Sequence, residues 1–305
     1  MAWLRRLIFN RIGLLVALWL VAMAALHFTQ IRHNRLPLDL AHAFPVGESP
    51  APGAVLGTTL AALMNHELRS GTGWRPNDFF LWGPRLFADN NANRQLGILQ
   101  ALRRTVQVMK EHLTKISSDP FDKNLDEADT VLRSDERRLW LPSAESRFRL
   151  GVHHLEEYVR GLKPELQTSK PLTLRHMELL RLFQAWSDLL GDAHANLYRS
   201  EIDGHAIRPW EDDDLFYHAQ GYAHVMAACL RAIQREYTRS FEERGALAPL
   251  VEEVARSLEQ AATLKPPIVL DGHPAGIFAN HRRNLSAYIA EARQKMYSIR
   301  EELEK

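Results

Sequence analysis

Residues 210–221, which read WEDDDLFYHAQG, contain more groups capable of chemistry than any other segment of this chain. Three consecutive aspartates, Tyr217 and Gln220 crowd the start of a predicted helix. Asp214 and His218 lie one helical turn apart on the same face, so this pair could hold a metal or share a proton. A partly exposed ion pair is the commoner role of a carboxylate and a histidine at this spacing, and it is the alternative here.

Two further residues of the same predicted helix invite a functional interpretation. Gly221 interrupts the helix at a cost of about 1 kcal/mol relative to alanine, which indicates close approach of another helix or of a ligand. Tight helix packing is the more usual reason for such a glycine. Cys229 lies on the apolar stripe of the helix, which predicts a small buried side chain rather than a reactive thiol. As the only cysteine, it also excludes an internal disulfide and a multi-cysteine metal site.

The common catalytic and cofactor signatures are absent from the sequence. No Glu has a His three residues later, which excludes the Glu-x-x-His pair of di-iron bundles. His66 and Glu67 lack the second zinc-binding His, because Ser70 stands at that position. The chain also has no Gly-x-Ser-x-Gly elbow, phosphate-binding glycine loop or dinucleotide-binding fingerprint. We therefore predict no cofactor and no metal site.

The charges of the 305 residues are almost balanced, with 38 basic and 37 acidic side chains, and 46% of the residues are hydrophobic. Such a chain can bury a core and is not disordered. It lacks the strongly basic character of a nucleic-acid-binding protein, so no nucleic-acid partner is expected.

An uncharged stretch at residues 12–31 follows Arg5, Arg6 and Arg11. In helical form it is about 30 Å long, which matches the hydrocarbon core of a bilayer. We predict a transmembrane helix or uncleaved signal anchor, with the lipid bilayer as its partner. A signal peptide cleaved near residues 22–24 is the alternative. The preceding arginines favour a cytoplasmic amino terminus.

The rest of the chain is predicted to be all-α. Four prolines within residues 32–53 are typical of an extended tether, and helical periodicity recurs from there to the carboxyl terminus. One acidic stretch, residues 119–138, is interpreted as a solvated loop. The predicted organisation is a basic cytoplasmic tail at 1–11, a membrane helix at 12–31, a Pro-rich tether at 32–53 and a bundle-like domain of about six to eight helices at 54–305.

Several motifs resemble, in the same order, those of a bacterial family catalogued as domain of unknown function 2333. They are residues 213–221 (DDLFYHAQG), 267–272 (PIVLDG) and 277–281 (IFANH), together with the helix start at 141–146 (LPSAES). Gln220 departs from the family pattern, because members carry a basic residue there. This departure argues against an anion site at that position.

The resemblance implies a membrane-anchored helical protein of proteobacterial type, and it implies no particular activity. With the predicted topology, the chain becomes a single-pass inner-membrane protein with its soluble domain in the periplasm. We expect a binding, scaffold or accessory protein with envelope protein partners. The alternative is an envelope enzyme, hydrolytic or metal-dependent, whose site requires the family motifs to meet in one concave pocket. The candidate binding residues are Asp213, Asp214, Tyr217, Gln220, Gly221, Asp271, Asn280 and His281.

Overall fold

The computed structural model of the chain describes residues 2–33, 50–71, 73–78, 89–114, 120–173, 176–202, 204–237, 247–266, 268–273 and 277–303. Over these ranges the α-helices are α1 (Ala2–His33), α2 (Ala54–Arg69), α3 (Asn90–Val108), α4 (Lys123–Leu132), α5 (Ala144–Gly161), α6 (His176–Tyr198), α7 (Pro209–Glu236), α8 (Leu247–Thr263) and α9 (His281–Leu303). A π-helical turn, Met109–Leu113, extends α3, and two short antiparallel strands, β1 (Glu201–Ile202) and β2 (His205–Ala206), precede α7. The all-α prediction is confirmed.

The amino-terminal helix α1 contains residues 12–31, the predicted membrane span. Among the residues described above, no helix is long and apolar enough to cross a membrane. The structure therefore supports the helical class but not the membrane span. Most of the predicted tether, residues 34–49, lies outside the described residues.

The core of the domain is built around α7, which contacts α2, α3, α6, α8 and α9. Its inward face is fully buried and includes Phe216, Met226 and Leu230. Cys229 belongs to the same face, and burial raises the pKa of its thiol. The predicted burial of Cys229 is confirmed.

Helices α3 and α7 cross in close contact, and two glycines face each other at this crossing. A Cβ atom on Gly221 would lie 2.3 Å from the carbonyl oxygen of Arg94 and 2.7 Å from the amide nitrogen of Ile98. One on Gly97 would lie 2.0 Å from the carbonyl oxygen of His218. The packing interpretation of Gly221 is confirmed, because backbone of the neighbouring helix occupies the space of a side chain.

The predicted solvated loop at residues 119–138 is wrong, because its centre forms α4. Asp122 begins this helix, and its carboxylate accepts hydrogen bonds from the backbone amides of Asn124 and Leu125, at 3.0 and 3.1 Å. Asp129 is buried and pairs with Lys110. The acidic residues thus cap and cross-link the helix, and its apolar side packs against α5.

The two ends of α7 mark two ends of the domain. Glu236, its last residue, accepts hydrogen bonds from the backbone amides of Gly53, Val55 and Leu56 and so caps α2. Gly53 has φ of 99°, a conformation that favours glycine. We call this side the entry end, because the domain begins there. The side at residues 209–214, roughly 36 Å away along the helix, is the distal end.

Candidate functional site

The predicted site begins at the amino terminus of α7, which starts at Pro209 rather than at Asp212. The Glu211 carboxylate accepts a hydrogen bond of 2.8 Å from the backbone amide of Arg208, and this bond lowers the pKa of Glu211. The earlier start places all three aspartates inside the first two turns. Because successive helical residues point about 100° apart, each aspartate faces a different neighbour.

Asp212 faces the buried guanidinium of Arg282, which is 2% exposed. Nη1 of Arg282 donates to the carboxylates of Asp212, at 2.8 Å, and of Asp271, at 3.1 Å. Its Nη2 donates to the carbonyl oxygens of Asn196, at 3.2 Å, and Arg199, at 2.6 Å. We call this group the Arg282 latch, since it joins the starts of α7 and α9 to the end of α6.

Asn280 and His281 hold the loop that carries Asp271. The Asn280 side-chain amide donates to the Asp271 carboxylate and to the Gly272 carbonyl, both at 2.7 Å, and its oxygen caps α9. His281 Nδ1 accepts a hydrogen bond of 3.0 Å from the backbone amide of Leu270. The structure therefore brings Asp271, Asn280 and His281 together, and their polar atoms are used to fix the loop.

Asp213 and Asp214 face the amino terminus of α3 instead. The side chain of Asn90 hydrogen-bonds to Asp213, and that of Asn93 donates to Asp214. Asp89, Asp213 and Asp214 together form what we call the carboxyl cluster. Burial raises the pKa of all three, and mutual repulsion adds to the shift for Asp89 and Asp214. The resulting pKa values are about 6 for Asp213, about 7 for Asp89 and about 8 for Asp214.

The remaining predicted residues lie inside the bundle. Tyr217 is buried edge to face against Phe216, with ring centroids 5.2 Å apart. Gln220 is buried, and its amide donates to the carbonyl of Leu264 at 2.8 Å, just beyond the end of α8. Gly221 lies at the α3 crossing. Gln220 and Gly221 contact neighbouring helices and Tyr217 belongs to the core, so the predicted site residues are divided among several internal contacts.

The proposed acid–base pair of Asp214 and His218 is not formed. The His218 ring contacts Tyr222, with centroids 4.9 Å apart, and burial lowers the pKa of His218 to about 4. The imidazole is therefore neutral at physiological pH. Within the described ranges, no three Asp, Glu, His or Cys side chains are placed to hold a metal ion.

A buried polar network lies between α2 and α3, and the sequence pattern does not predict it. The Arg94 guanidinium, fully buried, donates to both carboxylate oxygens of Glu67, at 2.7 and 2.9 Å. Gln95 donates to the same carboxylate at 3.1 Å and accepts from the backbone of Arg75 at 2.9 Å. Charged residues are mostly exposed, so nothing in the pattern signalled this burial. Asp89 was missed as well, although an aspartate before a helix is a capping signal.

The carboxyl cluster predicts an unusual dependence of stability on pH. Because the pKa of Asp214 rises from 3.8 to about 8 in the folded state, the native chain binds this proton more tightly than the unfolded chain. The contribution of Asp214 to stability is therefore greatest at acidic pH and is lost as pH rises from about 4 to about 8. Asp214→Asn resembles the protonated form. At pH 9 it should melt at least about 2 °C above the unsubstituted chain.

Thermal melts of the two chains between pH 5 and pH 9 test this expectation, and the difference should shrink toward pH 5. Asp135→Asn is the matched control, because Asp135 is exposed and lies outside the cluster. A lower melting temperature of Asp214→Asn at pH 9 would mean that a charged Asp214 stabilises the fold.

The fold and the site define an all-α bundle protein whose predicted site residues bind its own helices together. The chain belongs to the bacterial family DUF2333, described as uncharacterised proteins conserved in bacteria, and the family model matches residues 8–201 and 184–305. The resemblance drawn from the motifs is thereby confirmed. No curated protein and no solved structure matches the chain.

Proposed function

We propose that the protein is anchored in the bacterial inner membrane by a single helix and that its periplasmic domain binds other envelope proteins as a scaffold or accessory protein. The observation that carries the anchor is the surface of α1. Within the uncharged stretch at residues 12–31, several large apolar side chains are at least half exposed, among them Ile12, Leu14, Leu15, Leu18 and Val21, whereas Met23 is buried. Apolar surface of this extent is unfavourable in water and favourable in hydrocarbon.

Binding is better supported than catalysis because of the contacts that the candidate residues make. An enzyme, whether a hydrolase or a metal-dependent one, would need Asp213, Asp214, Tyr217, Asn280 and His281 to line one pocket. Asp213 and Asp214 contact α3, whereas Asn280 and His281 hold their own loop. These side chains thus contact different parts of the chain instead of one shared pocket, and a scaffold role needs no catalytic group.

Fusions to the carboxyl terminus test the anchor and its orientation. With alkaline phosphatase we expect an active enzyme, and with green fluorescent protein a dark fusion, because the domain is proposed to lie in the periplasm. The chain should resist extraction from membranes by alkaline carbonate. Introducing charges within the apolar stretch, as Leu14→Arg with Leu18→Arg, should release it, whereas Leu38→Arg with Leu40→Arg should not.

Each contrary result would exclude one part of the proposal. A fluorescent fusion with inactive phosphatase would reverse the orientation. Carbonate extraction of the unsubstituted chain would exclude the anchor, and a mature amino terminus near residue 25 would identify a cleaved signal peptide instead. For the scaffold role, chemical crosslinking of cells followed by mass spectrometry should recover the same envelope proteins repeatedly, and recovery of none would exclude it.

A further inference from the structure

A short loop at the distal end projects large apolar side chains into solvent. This Trp140 loop comprises residues 137–142, which read RRLWLP. Trp140 is 79% exposed and Leu141 is 90% exposed. Arg137 and Arg138, which precede them, are exposed as well. The loop thus combines an aromatic and an aliphatic tip with two cationic side chains.

The base of the Trp140 loop is firmly held. The carbonyl oxygen of Arg138 accepts hydrogen bonds from the Asn77 side chain, at 3.1 Å, and from the Ala144 amide, at 3.0 Å. The Trp74 indole donates to the carbonyl of Glu136 at 2.9 Å. Because the backbone is fixed on both sides, the apolar tip is presented by the folded domain itself.

A second loop also combines exposed apolar side chains with basic ones. Ile277 is 95% exposed and Phe278 is 67% exposed, and Ile268 across the loop is also exposed. Lys265 and Arg283, both exposed, lie just before and just after these residues in the chain. Its base is the Arg282 latch, so this loop too is held by buried polar contacts.

Both loops lie at the same end of the domain. Arg137 is close enough to Asp214 for its charge to lower the pKa of that carboxyl, and Asp212 binds Arg282 at the base of the second loop. Asp212 and Asp214 are neighbours at the start of α7. The distal end therefore carries two apolar tips, each accompanied by positive charge.

We propose that the distal end docks on the surface of an anionic lipid bilayer, where Trp140 and Leu141 enter the interface and Arg137 and Arg138 contact lipid phosphates. Trp is favoured at the boundary between headgroups and acyl chains. Basic side chains next to it are attracted by the negative surface potential of anionic lipids. A surface that joins apolar tips with cations has the character of an interfacial membrane contact.

Two features of the chain are compatible with this docking. The 16 residues between α1 and residue 50 can span at most about 55 Å, which exceeds the length of α7, so the distal end can reach the membrane that is proposed to hold α1. The carboxyl cluster at the same end is half-buried, and the raised pKa of Asp214, about 8, leaves that group mostly uncharged at neutral pH. The carboxyl cluster therefore repels an anionic surface less strongly than three exposed carboxylates would.

The test places an environment-sensitive fluorophore at the loop of the full-length chain. Trp140→Cys is labelled, and the native Cys229 stays unlabelled because it is fully buried. The matched control is Met177→Cys, an exposed apolar position in the first turn of α6, five residues after Leu172, whose carbonyl oxygen accepts a hydrogen bond from Tyr237 at the entry end. Both proteins are reconstituted in nanodiscs of phosphatidylcholine alone or with added phosphatidylglycerol, and Leu141→Cys serves if Trp140→Cys does not fold.

We expect the label at position 140 to shift to the blue and to be quenched by spin-labelled lipid when phosphatidylglycerol is present, with no change at position 177. Arg137→Gln with Arg138→Gln should abolish the shift. The proposal is overturned if the label at position 140 stays as water-exposed as the control in both kinds of disc. The proposal is also overturned if the label becomes shielded from water in detergent, where no bilayer is present, because the chain self-associates. Retention of the chain in the discs is scored separately and reports on the anchor.

Discussion

Replacing Arg282 by methionine is expected to lower the free energy of unfolding by about 3–5 kcal/mol, because it removes one partner of a buried ion pair. The guanidinium is buried and binds two carboxylates and two backbone carbonyls. Without it, Asp212 keeps a carboxylate whose pKa burial already raises. The loss should therefore grow with pH, since the unpaired carboxylate is stabilised by protonation.

Urea unfolding of the detergent-solubilised chain, followed by circular dichroism, measures this loss. Arg283→Met is the matched control, because Arg283 is exposed and its guanidinium lies 4.0 Å from the ring of Tyr198. It should change the free energy of unfolding by less than about 1 kcal/mol. Arg282→Lys keeps the positive charge but cannot reproduce the guanidinium contacts with all four partners. Its free energy of unfolding should therefore fall between those of Arg282→Met and Arg283→Met. Equal stability of Arg282→Met and the unsubstituted chain would show that the latch does not hold the fold.

Most of the helices could be predicted because the helical spacing of apolar residues can be recognised within each segment of the sequence on its own. Local start signals help as well: Ser143, in the helix-start motif at 141–146, accepts a hydrogen bond from the amide of Ser146 and caps α5. The loop prediction for residues 119–138 is wrong because a high density of charged residues does not by itself mean that a segment is solvated. Asp122 and Asp129 satisfy a helix end and a buried lysine, and such partners from elsewhere in the chain are invisible in local composition.

The candidate site could be predicted in its residue types but not in its arrangement. A shift of three residues in the start of α7, from Asp212 to Pro209, changes which element each aspartate faces. Arg282 and Asp89 complete the two clusters, and neither forms a local motif with the residues that it contacts. Long-range pairing of this kind depends on the packing of helices rather than on sequence spacing.

The motifs that carry the family resemblance divide physically into two kinds of side chain. Asp271 and Asn280 bind Arg282 and the loop backbone, so their polar atoms are engaged within the chain although the Asp271 side chain is 40% exposed. Ile277 and Phe278, beside them in sequence, face solvent. The polar residues of this loop therefore fix its shape, and its apolar residues form much of its exposed surface. Exposed apolar side chains held by buried polar ones are suited to contact with a partner.

Gly221→Ala is expected to lower the free energy of unfolding by about 2 kcal/mol, because overpacking at a closed helix contact outweighs the gain in helix propensity. Alanine favours a helix over glycine by about 1 kcal/mol, which alone would stabilise α7. The new Cβ would lie 2.3 Å from the carbonyl oxygen of Arg94 and 2.7 Å from the amide nitrogen of Ile98. Both are backbone atoms of α3, so the steric overlap can be removed only if the two helices move apart.

Gly191→Ala isolates the propensity term in the same chain. Gly191 lies within α6, and its nearest neighbour would be the flexible guanidinium of Arg293, at 3.0 Å. That side chain can move aside, so the substitution should be neutral or stabilising by up to about 1 kcal/mol. Urea unfolding of both variants gives the comparison. If Gly221→Ala were as stable as Gly191→Ala, α3 and α7 would not be in the close contact on which the position of the carboxyl cluster depends.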